Sequence, residues 1–338
     1  MKEIRIEVNM ILAGDVGGTK TLLGLFDPRG SRPEPIVIQS FTTVDYRDLS
    51  SVIAAFASDD RVRGTRIGSA AFGVAGPVLG DTATLTNVSF GIDRAAIGRA
   101  FAIPRVRLLN DLQAMAYSVT ALAHSEVHVV QAGDAQPGGN MGLIAAGTGL
   151  GEAALYQMAA GLFPAPTEAG HADWAARNER EIVVLRDLIR RFGRAEVEHV
   201  LSGPGLVNLH RVMHAGGECS AVSDASDPGA PALISTAALE GRCAGCGETL
   251  DVFVSAYGAE AGNLALRTVA TGGLFVGGGI APKILPALTD GRFLRAFLDK
   301  QPFREMLSKV PVKIILNADA GLLGAAIAAA QDLPSAPA

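Results

Sequence analysis

Residues 12–26 read Leu-Ala-Gly-Asp-Val-Gly-Gly-Thr-Lys-Thr-Leu-Leu-Gly-Leu-Phe, and no other stretch limits the possible folds as strongly. It falls one residue short of a P-loop. Counted from Gly14, the pattern G-x-x-x-x-G-K-[ST] requires glycine at position 19. The chain has Thr19 there, followed by Lys20 and Thr21. A P-loop lysine opens a helix. The residues after Lys20, Thr-Leu-Leu-Gly-Leu-Phe-Asp-Pro, hold an internal glycine and reach a proline too soon for one. Two apolar runs around Gly17-Gly18 predict a β-hairpin instead. The same grammar returns at 142–157, where Gly147-Thr148-Gly149-Leu150-Gly151 separates two apolar runs. Two glycine hairpins of one design suggest a duplicated unit.

A tight glycine turn lines up backbone N–H groups into an anion-binding concavity. Gly17 and Gly18 let an oxygen approach where a Cβ would stand. Thr19 adds a hydroxyl and Lys20 a charge. Asp15 would repel a phosphate, so beside one it makes sense through a metal ion or metal-bound water. A plain hairpin with a polar tip accounts for the same residues. The second turn carries Thr148 and no charge. Two such turns facing each other would grip the two ends of a triphosphate.

Strands are predicted at 67–74, 106–109, 127–131, 274–277 and 312–316. Helices are predicted at 111–123, 178–192, 204–214, 247–268, 281–289 and 320–331, the last with Asn317 or Asp319 as its cap. Residues 222–232 read as a surface loop. Strands alternating with helices make the class α/β. At 338 residues the chain is long for one core and implies two domains. A composition of 49% hydrophobic and 19% charged residues is that of a globular protein. Net charge −5 gives no footprint for nucleic acid or an anionic membrane. No apolar run is long enough to span a bilayer. Three cysteines make no disulfide framework, which points to the cytoplasm.

Five further segments could carry chemistry. At Asn110-Asp111 an apolar strand ends and a helix begins. Either residue serves as an N-cap, and a carboxylate at a strand's C-terminal edge is also where an α/β fold places a catalytic base. Glu168 and His171, three apart, supply an acceptor and a switchable donor/acceptor suited to a polyhydroxyl ligand. Glu198 sits between a helix and a Gly-Pro-Gly break, where a solvated helix-end charge is the simpler reading. Gly277-Gly278-Gly279 follows a strand and precedes Pro282. Three glycines let a flat ring such as a purine lie on bare backbone, whereas a tight turn needs only one. Cys243-Ala-Gly-Cys246 is a C-x-x-C with no second C-x-x-C in the chain, so a buried or capping pair of thiols is favoured over structural zinc.

In this order the pieces resemble the bacterial glucokinases of the sugar kinase–actin–Hsp70 superfamily. The match runs from Gly14-Asp15-Val16-Gly17-Gly18-Thr19 through Thr86-Asn87, Asn110-Asp111, Gly147–Gly151, Glu168-x-Gly-His171, Glu198-x-Val-Leu-Ser-Gly-Pro-Gly-Leu206 and Gly277-Gly-Gly-Ile280 to Asn317–Gly324. The resemblance implies two ribonuclease-H-like α/β domains with a deep interdomain cleft. One domain would be residues 1–121 with 319–338, the other 122–318. It implies ATP and Mg²⁺ held by Gly14–Thr19, Gly147–Gly149 and Gly277–Gly278, with the metal reached indirectly from Asp15 through water. It implies glucose held by Asn110, Asp111, Glu168, His171 and Glu198, with Thr86 and Asn87 also on the sugar side, and Asp111 as catalytic base. A homodimer is the family expectation. Two positions depart from the pattern. Lys20 stands where these glucokinases often carry Asn and the related repressor/open-reading-frame/kinase (ROK) group often carries Lys. Ala169 replaces the first Gly of Glu-Gly-Gly-His. Residues 172–200 lack the cysteines of the ROK zinc motif, which favours the zinc-free glucokinase group. The competing readings are a kinase for mannose, fructose or an N-acetylated aminohexose, a non-catalytic sugar sensor, and an actin- or Hsp70-like ATPase.

Overall fold

The computed structural model describes residues 9–30, 32–85, 90–159, 161–214, 217, 219 and 221–333. The chain forms two compact units, Met1–Leu122 with Asp319–Ala338, and Ala123–Ala318.

In the first unit the main strands are β1 (Met10–Val16), β2 (Lys20–Asp27), β3 (Glu34–Thr42) and β4 (Ile67–Val74). Three short strands follow, β5 (Val78–Leu79), β6 (Thr82–Thr84) and β7 (Gly91–Asp93), and then β8 (Val106–Asn110). The main sheet has the order β3-β2-β1-β4-β8, while β5, β6 and β7 form a small sheet of their own. β1 pairs antiparallel with β2, and β1, β4 and β8 run parallel. β1 is apolar on both faces because both are covered. Leu12 and Val16 pack toward Leu49, Val52, Ile53 and Phe56 of the helix Leu49–Ala57. Ile11 and Ala13 pack toward Leu322, Ala325 and Ala326 of the helix Ala320–Gln331. A period of two therefore puts Asp15 on the face of that last helix. There a Cβ on Gly321 would lie 3.0 Å from Asp15 Oδ2.

The second unit contains β9 (Val127–Gln131), β10 (Met141–Ala146), β11 (Leu150–Met158), β12 (Gly161–Pro166), β13 (Gly273–Gly277) and β14 (Val312–Ile315), in the order β12-β11-β10-β13-β14-β9. Counted from β10, this repeats the order third-second-first-fourth-fifth of the first unit. The second strand is again antiparallel, the fourth and fifth again parallel, and β9 is an added antiparallel edge. The duplicated glycine hairpin is thus the first hairpin of each of two ribonuclease-H-like sheets. The long helix Ala244–Thr268 buries Phe253, Tyr257, Ala261 and Leu264 in a core shared with Ile144, Leu274, Val276 and Ile314.

Three expectations are corrected. The helix predicted over 111–123 ends at Ser118, whose hydroxyl turns back to the Met115 carbonyl. Residues 222–232 are not all loop, because a helix starts at Ala230 with Pro231 in its first turn and runs to Leu239. Asp319 stands at the N-cap of the final helix but makes no capping hydrogen bond. Asn317 instead donates from Nδ2 to Glu126 Oε1 at 2.8 Å. Among the described residues no helix is long and apolar enough to cross a membrane.

Candidate active site

The first glycine turn is closed by the Gly17 N–H donating to the Lys20 carbonyl at 3.0 Å. Thr43, fully buried, braces it from behind. Its hydroxyl donates to the Gly17 carbonyl at 2.7 Å and its N–H to the Thr19 carbonyl at 2.9 Å. Two carbonyls of the turn are thereby held toward the protein body, which suits an anion on the other side. Gly14 also has a packing task. It is paired inside β1, and a Cβ there would stand 2.5 Å from the Phe72 ring. Val16 is a core residue. Thr19 and Lys20 are exposed at the tip.

Val16, Val74 and Asn110 are register partners at the C-terminal edge of the parallel strands. Asp15 and Asp111 therefore belong to one edge, the usual place for function in such a sheet. Asn110 caps the helix Asp111–Ser118, accepting at Oδ1 from the Leu112 N–H at 2.9 Å, which leaves its amide nitrogen as the donor end. The Leu112 N–H also reaches Asp111 Oδ1 at 2.8 Å and orients that carboxylate. The Asp15 carboxyl is pushed up to about 6. Burial is the main cause, then the negative charges of Asp111 and Asp319, with Lys20 opposing. A carboxylate penalised by two neighbouring carboxylates is relieved by a cation, so this donor set fits a divalent ion.

In the second unit the Gly147 N–H closes the other turn on the Gly149 carbonyl at 2.8 Å. The Gly147 carbonyl accepts from the Gly203 N–H at 2.8 Å. Glu198 Oε2 accepts from the Leu150 N–H at 2.8 Å, and a Cβ on Gly149 would come within 2.6 Å of that oxygen. The Glu198 N–H in turn donates to the Gly170 carbonyl at 2.8 Å. Gly170 is packed so tightly on the Leu150 carbonyl that a side chain would overlap it. Glycines 149 and 170 thus clamp Glu198 and the turn bearing Glu168 and His171 into one cluster. His171 Nδ1–H donates to Glu196 Oε2 at 2.8 Å, so the bond to Glu196 engages only one of the two ring nitrogens. The His171 imidazole titrates above its ordinary range, first because of Glu196, with Glu198 and Glu168 adding to it. Arg194 completes the brace, donating to the His171 carbonyl at 3.0 Å and to Glu196 Oε1 at 2.6 Å.

A cavity of about 640 Å³ opens in this unit beside the second turn. Gly147, Thr148, Ser226, Asp227, Gly279 and Lys283 are among the residues that line it. Of the three consecutive glycines, Gly279 is the one on its wall. Gly277 is buried at the end of β13. Gly278 has φ +84° and rests on the Ala146 carbonyl without room for a side chain. The buried Tyr257 hydroxyl ties the two strand ends together, accepting from the Ala146 N–H at 3.1 Å and donating to the Gly277 carbonyl at 3.3 Å.

A family model for glucokinase matches residues 12–332. The glucokinase of Nostoc punctiforme is 38% identical over 348 residues, spanning 96% of this chain and 100% of that protein. The chain belongs to the glucokinase family. The glucokinase of a Synechocystis species is 35% identical, over 95% of this chain and 98% of that one. The crystal structure of a glucokinase from an Antarctic psychrotroph has a TM-score of 0.85 at 29% identity, covering 96% of this chain and 99% of that one. A ROK family glucokinase from Streptomyces griseus, solved with glucose and AMPPNP, shares the fold at a TM-score of 0.65 and 20% identity, covering 96% of this chain and 100% of that one.

Sequence reasoning about this glucokinase family member missed the braces. Thr43, Glu196 and Arg194 carry no motif of their own and are found only through what they hold. Thr86 and Asn87 lie outside the described residues. Glu196 offers a direct check. Replacing Glu196 with Gln removes the negative partner of His171, so the imidazole should titrate at lower pH than in the native chain. Ring-resolved NMR titration measures this, and an unchanged midpoint would contradict the assignment of Glu196 as its partner.

Proposed function

We propose that this chain is an ATP:D-glucose 6-phosphotransferase, making glucose 6-phosphate and ADP. The observation that carries the reading is the Glu168–His171–Glu198 cluster. It gathers carboxylates and an imidazole, the groups that bind sugar hydroxyls, against a glycine turn of the kind that binds phosphate. Curated glucokinases at 35–38% identity over nearly the whole chain support it.

In this reading the first unit supplies the reacting base and one phosphate turn. The Asp111 carboxylate accepts the proton of the sugar 6-hydroxyl as O6 forms its bond to the γ-phosphorus. The bond from that phosphorus to the β,γ-bridging oxygen breaks, and ADP leaves. Asn110 donates to a neighbouring sugar hydroxyl. Gly17, Gly18 and Thr19 meet phosphate oxygens with N–H groups and a hydroxyl. The second unit supplies Glu168, His171 and Glu198 toward the 1- and 2-hydroxyls, Gly147–Gly149 toward phosphate, and the cavity walled by Gly279 for the adenine ring. Asp15 would hold Mg²⁺ through water, and that ion would neutralise charge on the phosphate oxygens. We read the two units as the two domains, and the enzyme as a cytoplasmic homodimer. Support for the dimer is the family resemblance, and for the compartment the unpaired thiols Cys219, Cys243 and Cys246. The test is steady-state turnover on a panel of hexoses, with ATP and Mg²⁺ each omitted in turn.

A further inference from the structure

Cys219, Cys243 and Cys246 come together in the second unit with two histidines from the end of the helix Gly203–Met213 and its C-cap. Cys219 Sγ lies 3.8 Å from Cys243 Sγ and 3.7 Å from Cys246 Sγ. His214 Nε2 lies 3.2 Å from Cys243 Sγ. The ligand atoms of His210, His214, Cys219 and Cys246 all lie within 4.8 Å of one another. We propose that Cys219, Cys243, Cys246 and His214 Nε2 bind a structural Zn²⁺.

Four observations point the same way. Thiolates at a zinc–sulfur distance of about 2.3 Å in a tetrahedron stand roughly 3.8 Å apart, which is the spacing of Cys219 Sγ from each of the other two sulfurs and far longer than a disulfide. The His214 Nδ1–H donates to the His210 carbonyl at 3.0 Å, so the Nε2 lone pair faces the sulfurs. That is how metal-bound histidines are held by a second partner. His210 Nε2 is buried with no hydrogen-bond partner, and its ring stacks on His214 at 3.9 Å. The stacked His210 ring backs the ligand imidazole and fixes its plane. Lastly, a Cβ on Gly245, between the paired cysteines, would stand 2.5 Å from the His214 ring. The Cys-Ala-Gly-Cys turn therefore carries glycine where the imidazole must seat.

The sequence has no second C-x-x-C to complete a zinc site. The fold supplies the remaining ligands singly, from His214 and Cys219. The site is distinct in position from residues 172–200, where the ROK motif would place its cysteines. It fastens the end of the helix Gly203–Met213 to the start of the helix Ala244–Thr268, over a small core of Val222, Ala230, Ile234, Ala237 and Cys246. The helix Ala230–Leu239 and the loop before it line the 640 Å³ cavity. Loss of the metal should therefore raise KM for ATP and leave KM for glucose unchanged. That consequence rests on the nucleotide reading above, whereas the metal test does not.

The full chain, expressed without a histidine tag and dialysed against a weak chelator, should hold one zinc per chain by elemental analysis. Its Co²⁺ form should show the visible bands of a tetrahedral ion and thiolate-to-cobalt charge transfer. The three thiols should resist a thiol reagent until a strong chelator is added. Cys246→Ser and His214→Ala should each lose the metal. Background zinc together with no cobalt spectrum in the folded native chain would overturn the proposal, whatever the variants do. An intact mass two hydrogens short, marking a disulfide, would overturn it as well.

Discussion

Asp111→Asn should lower kcat for glucose phosphorylation by about 10²- to 10⁴-fold, the range expected for loss of a general base. The amide keeps the size and shape of the carboxylate and can still accept from the Leu112 N–H that orients the native side chain. It cannot take a proton from the 6-hydroxyl. Glucose and ATP affinities, measured by calorimetry or fluorescence, should change far less than kcat. The substitution also removes one of the charges that push up the Asp15 carboxyl, so that carboxyl should titrate at lower pH in the variant. Full activity in Asp111→Asn would remove Asp111 from the mechanism.

Glu198→Gln should weaken glucose binding by roughly 10- to 150-fold, the equivalent of about 1.5–3 kcal/mol for a hydrogen bond to a charged group. The side chain is held for this task from two directions. The Leu150 N–H fixes one oxygen, and the Glu198 N–H anchors the backbone to Gly170. Glutamine can keep the Leu150 bond through its carbonyl, so the local fold should survive. Only the charged acceptor is lost. KM for glucose should rise while KM for ATP stays within about twofold. Equal losses in both would mean that Glu198 holds the second turn together rather than the sugar.

The fold was legible wherever local chemistry and long-range packing agreed. The glycine turns at Gly17-Gly18 and Gly147–Gly149 lie between apolar runs that become adjacent antiparallel strands, and the intervals to the next strands fix the α/β class. Asp48, three residues before Ser51, is a capping-box signal that could have announced the helix Leu49–Ala57. The helix Ala230–Leu239 was hidden because Ser, Asp, Pro and Gly crowd the residues before it, and its own Ala-rich run is apolar without a clear face. The candidate site was legible as residue types and not as tasks. Asn110 both caps a helix and presents an amide donor. Gly14 reads as part of a phosphate turn, and its bare Cα also admits the Phe72 ring. Thr43, Glu196 and Arg194 brace residues 23 to 26 positions away in the chain, and no short pattern encodes that. The cysteine–histidine cluster is the same case, since its ligands are brought together from separate segments.

Initial rates of ADP formation and of glucose 6-phosphate formation, measured on the native chain with glucose, ATP and Mg²⁺ and with each omitted singly, test the central claim most directly. The account predicts equal rates of both products, no turnover when any component is missing, and a higher kcat/KM for glucose than for mannose, fructose or N-acetylated aminohexoses. ADP formation without sugar phosphate, or faster turnover of another hexose, would contradict it.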